Sequence, residues 1–298
     1  MKRQLIIFAI TALAAILVSC SREEVLTETS DSKEISFSVT EIGTESRAGN
    51  TTDNLSNFGI SISTPVSSQY TYNNIKVEKS SSDDKWTPAE QMLWHNLTDT
   101  VDIVACAPYA STAGNLCGVS NYAVSVDKDQ SKGISNSDFL VFKKTALVPK
   151  TDLNIDGTLG VTFEHAMCKL NIKITFNYSG DKQLSENPIS CLEVCGTKLN
   201  GTCDFTAAKP KVVEDGQTTG NLKAYCDSFT AQTENDLAKA QYSCILIPQN
   251  ISQSKLSIKI STKTSNYNWT LSNSTKIEGG KSYILNLSFD GNSISKKK

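Results

Sequence analysis

The chain has 298 residues, enough for one large domain or two medium ones. Its 29 basic and 31 acidic side chains give a net charge of -2, which excludes a general grip on nucleic acid. Only two histidines are present, and there is no phosphate loop, G-x-S-x-G elbow or H-E-x-x-H pair, so no enzyme class or cofactor is indicated.

The first element reads as a targeting signal over 1–19. Lys2-Arg3 precede an apolar run from Leu5 to Val18, too short for a comfortable bilayer span. Leu17-Val18-Ser19-Cys20 resembles a bacterial lipobox, in which the cysteine thiol is acylated and becomes the new N-terminus. Cys20 is therefore the expected lipidation site, with palmitate among its acyl chains and an outer-membrane anchor as the consequence. Residues 20–47 follow as an acidic tether with three basic and seven acidic side chains. Within it lie one short alternating strand (Ile35, Phe37, Val39) and a basic, cut-like site, Ser46-Arg47-Ala48. A chain starting at Ala48 is near neutral, so the acidity resides in the tether.

Beyond the tether, apolar residues alternate with period two at Phe58/Ile60/Ile62, Tyr70/Tyr72, Ile75/Val77, Val101/Ile103/Ala105 and Tyr122/Val124/Val126. Ser, Asn, Asp, Gly and Pro clusters separate these runs, so the fold class is all-β. Only Glu234–Lys239 as a short helix and Ala89–Leu93 as a single turn break the pattern. Val161 and Phe163 then point one way, whereas Leu170, Ile172, Ile174 and Phe176 follow the opposite parity, which requires a bulge or a break. We place a first β-sandwich at 48–160 and a second at 161–298. The second runs through strands at 170–176, 189–194, 242–247, 256–260, 267–271 and 283–289, with an irregular polar stretch to about 220. After Phe289 the tail has Ile294 as its only apolar residue.

Eight cysteines follow Cys20. An exported compartment permits disulfides, but eight thiols allow about 105 pairings and the spacing selects none. Cys191 and Cys195 on one extended strand would sit about 13 Å apart, too far to bridge each other. Asp127 to Asp138 places oxygen side chains at positions of a calcium loop, but with glycine one place late and no flanking helices it reads as a solvated turn, and no metal is assigned. His165 reads as a hydrogen-bonding residue at the junction of the two halves. Trp86, Trp94, Trp269, Tyr70, Tyr72 and Tyr109 read as core or sheet-face residues, with a glycan platform as the competing reading.

Taken in order, these landmarks resemble the fimbrillin family of Bacteroidales, lipoprotein-derived pilins also called type V. The cues are the lipobox, Ser46-Arg47-Ala48, Asn57-Phe58-Gly59-Ile60-Ser61-Ile62, Trp86 and Trp94. They continue with Val104-Ala105-Cys106-Ala107-Pro108-Tyr109, Asp138-Phe139-Leu140-Val141, Phe163-Glu164-His165-Ala166-Met167-Cys168-Lys169-Leu170 and Gly279-Gly280-Lys281-Ser282-Tyr283. The resemblance spans about 20–290. It implies two tandem transthyretin-like β-sandwich domains, export as a lipoprotein precursor to the cell surface, and cleavage between Arg47 and Ala48. It also implies loss of the strand carrying Ile35, Phe37 and Val39, then polymerisation with other fimbrial subunits by strand exchange in a fimbrium supporting cell adhesion. Stalk subunits of this family usually carry an apolar donor segment after the last strand; here the polar tail departs from that pattern, which leaves a tip, accessory or non-polymerised surface subunit open. The alternative is a lipid-anchored adhesin or glycan-binding lipoprotein that keeps its first strand and meets a host or bacterial surface ligand.

Overall fold

A computed structural model describes residues 33–43, 49–65, 68–111, 116–178, 183–216 and 219–297. The first eight strands are β1 (Phe37–Ile42), β2 (Asn57–Ser63), β3 (Tyr72–Lys79), β4 (Trp86–Pro88), β5 (Val101–Ala107), β6 (Tyr122–Ser125), β7 (Leu140–Leu147) and β8 (Leu159–His165). Seven of them close into a barrel in the order β1-β4-β3-β2-β5-β7-β8. The alternation read in the sequence sets which residues fill it. Phe58, Ile60 and Ile62 of β2, Ile103 and Ala105 of β5, and Val161 and Phe163 of β8 are almost completely buried in one apolar cluster.

The remaining strands are β9 (Cys168–Phe176), β10 (Ile189–Lys198), β11 (Asn200–Cys203), β12 (Val212–Glu214), β13 (Thr219–Lys223), β14 (Tyr225–Thr230), β15 (Lys239–Leu246), β16 (Gln249–Ile251), β17 (Ser257–Thr262), β18 (Asn266–Thr270), β19 (Thr275–Ile277), β20 (Ser282–Phe289) and β21 (Ile294–Lys296). A sheet ordered β13-β10-β17-β18 and another ordered β14-β15-β9-β20-β21 share a second apolar cluster. Leu192, Val194, Ile258 and Ile260 enter it from the first sheet; Ile172, Ile174, Tyr242, Leu287 and Phe289 enter it from the second.

The parity switch is a break. β8 ends at His165, Ala166 and Met167 are unpaired in any strand, and β9 begins at Cys168 in a different sheet. All of β8 therefore runs with the barrel, beyond the expected division at 160/161. The second difference lies at β6, which leaves the barrel and pairs antiparallel with β11, from Tyr122 opposite Cys203 to Ser125 opposite Asn200. Tyr122, Val124, Val126, Ile134 and Phe139 all join the second cluster. β5 carries the two cores on its two faces: Ile103, Ala105 and Ala107 point into the barrel, whereas Cys106 and half-buried Val104 meet the other cluster.

Neither expected helical piece forms. Leu93 instead bridges Glu34, and Lys239 is the first residue of β15. The segment between is held by Thr233 N–H donating to the Asp236 carbonyl (2.9 Å) and Asp236 N–H donating to Thr233 Oγ1 (3.1 Å). Six residues are too few to offset helix nucleation when a turn of this kind competes. Among the described residues the one α-helical turn, α1 (Pro149–Asp152), starts with proline at its first position, where the missing N–H costs nothing. The polar stretch to 220 contains β11 to β13, which lack an alternating apolar signal long enough to be read.

Candidate assembly site

Ile35, Phe37 and Val39, singled out in the sequence, lie on a strand that is part of a sheet. β1 runs parallel to β8, from Phe37 opposite Leu159 to Ile42 opposite Phe163, with a bulge between Val39 and Glu41. Leu159 N–H donates to the Ser36 carbonyl (2.7 Å), and Gly43 N–H donates to the Phe163 carbonyl (2.9 Å), closing the ladder at both ends. Hydroxyl pairs Ser38–Thr158 (3.1 Å) and Thr40–Thr162 (3.0 Å) join the same two segments.

The other edge of β1 is held only at its start. Ile35 N–H donates to the Met92 carbonyl (2.8 Å), Trp94 N–H donates to the Lys33 carbonyl (3.0 Å), and Phe37 stands opposite Trp86 of β4. Among the described residues, no ladder partner faces that edge beyond Phe37. The strand is thus zipped along one side and anchored by side chains below. Ile35 is 2% exposed and Phe37 5%, and Val39 is half-buried against the barrel core. The Phe37 ring meets Phe58 edge-on at 6.2 Å, and Phe58 touches both Trp86 (5.2 Å) and Phe163 (5.5 Å). Each of Ile35 and Phe37 contributes about 1.5–3 kcal/mol by leaving water. Withdrawing β1 would bare the β8 edge and open the apolar interior beneath it.

Chain just beyond the expected cut is tied down. Asn50 N–H donates to Asp138 Oδ2 (2.8 Å), and its amide nitrogen donates to the carbonyls of Ser135 and Asp138 (both 2.9 Å). Ser135 Oγ donates to the Gly49 carbonyl (2.8 Å), and a Cβ on Gly49 would lie 2.6 Å from Ser135 Cα, so only glycine fits. His165 Nδ1 donates to Asp138 Oδ1 (3.1 Å), and both side chains are buried. His165 is therefore a buried hydrogen-bonding residue. Asp138, weighed as the last ligand of a calcium loop, has turned inward, while Asp129 pairs with Ser131 and Lys223.

Where β1 ends, Gly43, Thr162 and Glu164 form one wall of a cleft of about 860 Å³. Of the charged residues that line it, Lys209 pairs with Glu164 (2.7 Å), and Glu278 with both Lys281 (2.6 Å) and Lys276 (2.9 Å). These two lysines pull the Glu278 carboxyl down to about 2.

The C-terminal tail folds back. Asp290 accepts the backbone N–H groups of Asn292 (2.8 Å) and Ser293 (2.6 Å), turning the chain so that β21 pairs with β20. Ile294 stands opposite Phe289 and packs, half-buried, on the second core. The aromatics lie at separate places: Trp94 is buried in the barrel, Trp86 packs on Phe58, Tyr70 on His95, and Trp269 on the second core. Among the described residues no cluster of three or more metal-binding side chains occurs. Cys20, Arg47 and Ala48 lie outside the described residues.

Comparison with known proteins follows the same outline. A family model described as fimbrillin-like matches residues 45–298, beginning just after β1. No curated protein is matched. Among solved structures, a candidate cell adhesion protein from Bacteroides uniformis is 16% identical, with a TM-score of 0.60 over 90% of this chain and 96% of its own. A second from Bacteroides ovatus is also 16% identical, with a TM-score of 0.59 over 90% and 96%. A fimbrial protein from Bacteroides vulgatus is 14% identical, with a TM-score of 0.52 over 89% and 98%. Similarity this low carries the fold alone; the family model, matching most of the length, carries the membership. The chain belongs to the fimbrillin-like family.

Proposed function

We propose that this protein is a structural subunit of surface fimbriae, made as a lipoprotein precursor and assembled by strand exchange. In this reading Cys20 carries the lipid that anchors the precursor to the outer membrane. An arginine-specific protease cuts between Arg47 and Ala48, and β1 leaves. A strand from a neighbouring subunit then takes its place beside β8. The two halves correspond to two transthyretin-like β-sandwiches in tandem, the first of which β1 closes into a barrel. The role is structural, with no catalysis.

The observation that carries this reading is the one-sided hold on β1. A strand that inserts Ile35 and Phe37 into a core, yet pairs along one edge, covers a groove that another backbone can fill. The family match beginning at residue 45 supports the same division between leader and subunit. Treatment of the full chain with an arginine-specific protease tests it. The expected result is a new N-terminus at Ala48, loss of the 20–47 segment from the folded body, and oligomers that do not form with Arg47→Ala. A body that stays monomeric after the cut, with β1 retained, overturns it.

The tail favours a subunit that accepts a strand without donating one. β21 is short, mostly exposed, and already committed to β20. Removing residues 291–298 should leave acceptance of a partner's strand unchanged. If polymer growth instead stops, the tail is a donor and the tip or accessory assignment fails. A lipid-anchored adhesin with β1 kept in place is the other reading; it requires that Arg47 resist cleavage on cells and that the protein bind glycan or matrix as a monomer.

A further inference from the structure

Cys106 and Cys117 are both buried, at 0% and 2% exposure, in the second core cluster. Their approach follows from the backbone. Cys106 of β5 stands directly opposite Gly59 of β2, and Val104 stands opposite Ser61. The turn at Cys117-Gly118 lies over these two pairs. The Cys117 carbonyl accepts from Ser61 Oγ, and its N–H donates to Asn74 Oδ1 (3.3 Å). That same Asn74 oxygen is 2.5 Å from where a Cβ on Gly59 would sit, and a Cβ on Gly118 would lie 3.3 Å from Val104 Cγ2. Cys117 is thereby held against the outer face of the Gly59–Cys106 pair, and both side chains are buried in the one cluster.

Among the described residues, no strand register or turn brings another two cysteines together in this way. Cys168 and Cys244 lie on neighbouring strands but two positions apart in register, a diagonal of about 7–8 Å, and the Cys168 thiol donates to the Leu246 carbonyl (3.2 Å). Cys191 and Cys195 share β10, and Cys226 is exposed beside Ser228. Cys203, opposite Tyr122 on β11, lies in the same buried cluster, and burial pushes its thiol up to about 12.

We propose that Cys106 and Cys117 are a disulfide-forming pair, joined in the exported protein by a thiol–disulfide oxidant. The two S–H bonds are lost and one S–S bond forms. The two protons and two electrons pass to the oxidant, whose S–S bond breaks to give a pair of thiols. Burial raises the Cys117 thiol well above its ordinary value, so the folded pair reacts slowly. The bond therefore forms while the chain folds and is shielded afterwards. It closes a short loop onto the barrel wall that the second core packs against, and narrows the unfolded ensemble. The pairing rests on export to an oxidising compartment and is independent of strand exchange.

The test is refolding of the full chain from denaturant with a mixture of reduced and oxidised glutathione. Alkylation in denaturant without reductant and peptide mapping follow. The expected product is one peptide pair linking Cys106 to Cys117, with Cys203 alkylated, and a melting temperature roughly 5–10 °C above that of the reduced protein. Cys203→Ser should leave the link in place, and Cys106→Ser should leave Cys117 free. Alkylation of both Cys106 and Cys117 after oxidative refolding overturns the proposal, as does a link from either one to Cys203. Mapping on the unaltered chain decides the matter even if a variant fails to fold.

Discussion

Asp138, buried near the expected cut, joins Asn50 and His165 through separate carboxylate oxygens. Replacing it with alanine strands a backbone N–H and an imidazole in an apolar setting. Asp138→Ala should lower stability by about 3–4 kcal/mol in urea unfolding, and Asp138→Asn, which keeps an acceptor, by less. Equal costs would show that the two bonds contribute little beyond packing. Glu278 offers a pH-dependent counterpart at the surface. Lys281 first, then Lys276, depress its carboxyl to about 2, so its ion pairs are intact above the ordinary carboxylate range and are lost as pH falls through about 2. In carboxyl NMR titrations, K276A/K281A should return the midpoint to the ordinary range. Of these two residues only Asp138 was visible in the sequence, and there as an exposed turn residue. Burial of a lone carboxylate depends on partners 88 and 27 residues away, which local pattern does not encode.

At the scale of the strand, β1 was readable because Ile35, Phe37 and Val39 alternate within an otherwise polar tether. Its partner was not, since period-two patterning gives a face and says nothing of which strand lies alongside. Phe37→Ala should cost about 3 kcal/mol, and Val39→Ala, at a half-buried position, nearer 1. The specific readout is hydrogen exchange at the Leu159 amide, which donates to Ser36. It should speed up markedly in Phe37→Ala while amides in the β9–β15 ladder keep their rates. Uniform acceleration everywhere would mean that β1 opens only with the whole fold. The strands β12 and β13 are hidden for the opposite reason. Val212 and Leu222 are single buried residues in short polar strands, and an isolated apolar side chain carries no period.

Over the whole molecule, the two cores are joined where sequence order separates them. β6 comes from the first half and pairs in the second, and β5 presents one face to each cluster. All-β character and the parity break were legible because both are local. The exchange of β6 was not, because Tyr122/Val124/Val126 alternates equally well in either sheet. A fragment ending at 160 loses most of β8 and the β11 partner of β6, whereas one starting at 161 carries Val161 and Phe163 without a barrel. Neither fragment should give a dispersed amide NMR spectrum, and residues 21–298 should unfold in a single cooperative transition. A folded 48–160 fragment would show that the halves are independent.

The parallel alignment of β1 with β8 sets a timetable for maturation. Parallel neighbours cannot be joined by a tight hairpin, and here the partner begins more than a hundred residues later, at Leu159. Until that segment has emerged, the leading strand has only the short pairing of its start with Trp86 and Met92, and the cost of closing so long a loop makes its full docking a late event. The last strand to be secured is then the first to have been synthesised, and the rest of the barrel wall must be assembled before the leader locks it shut.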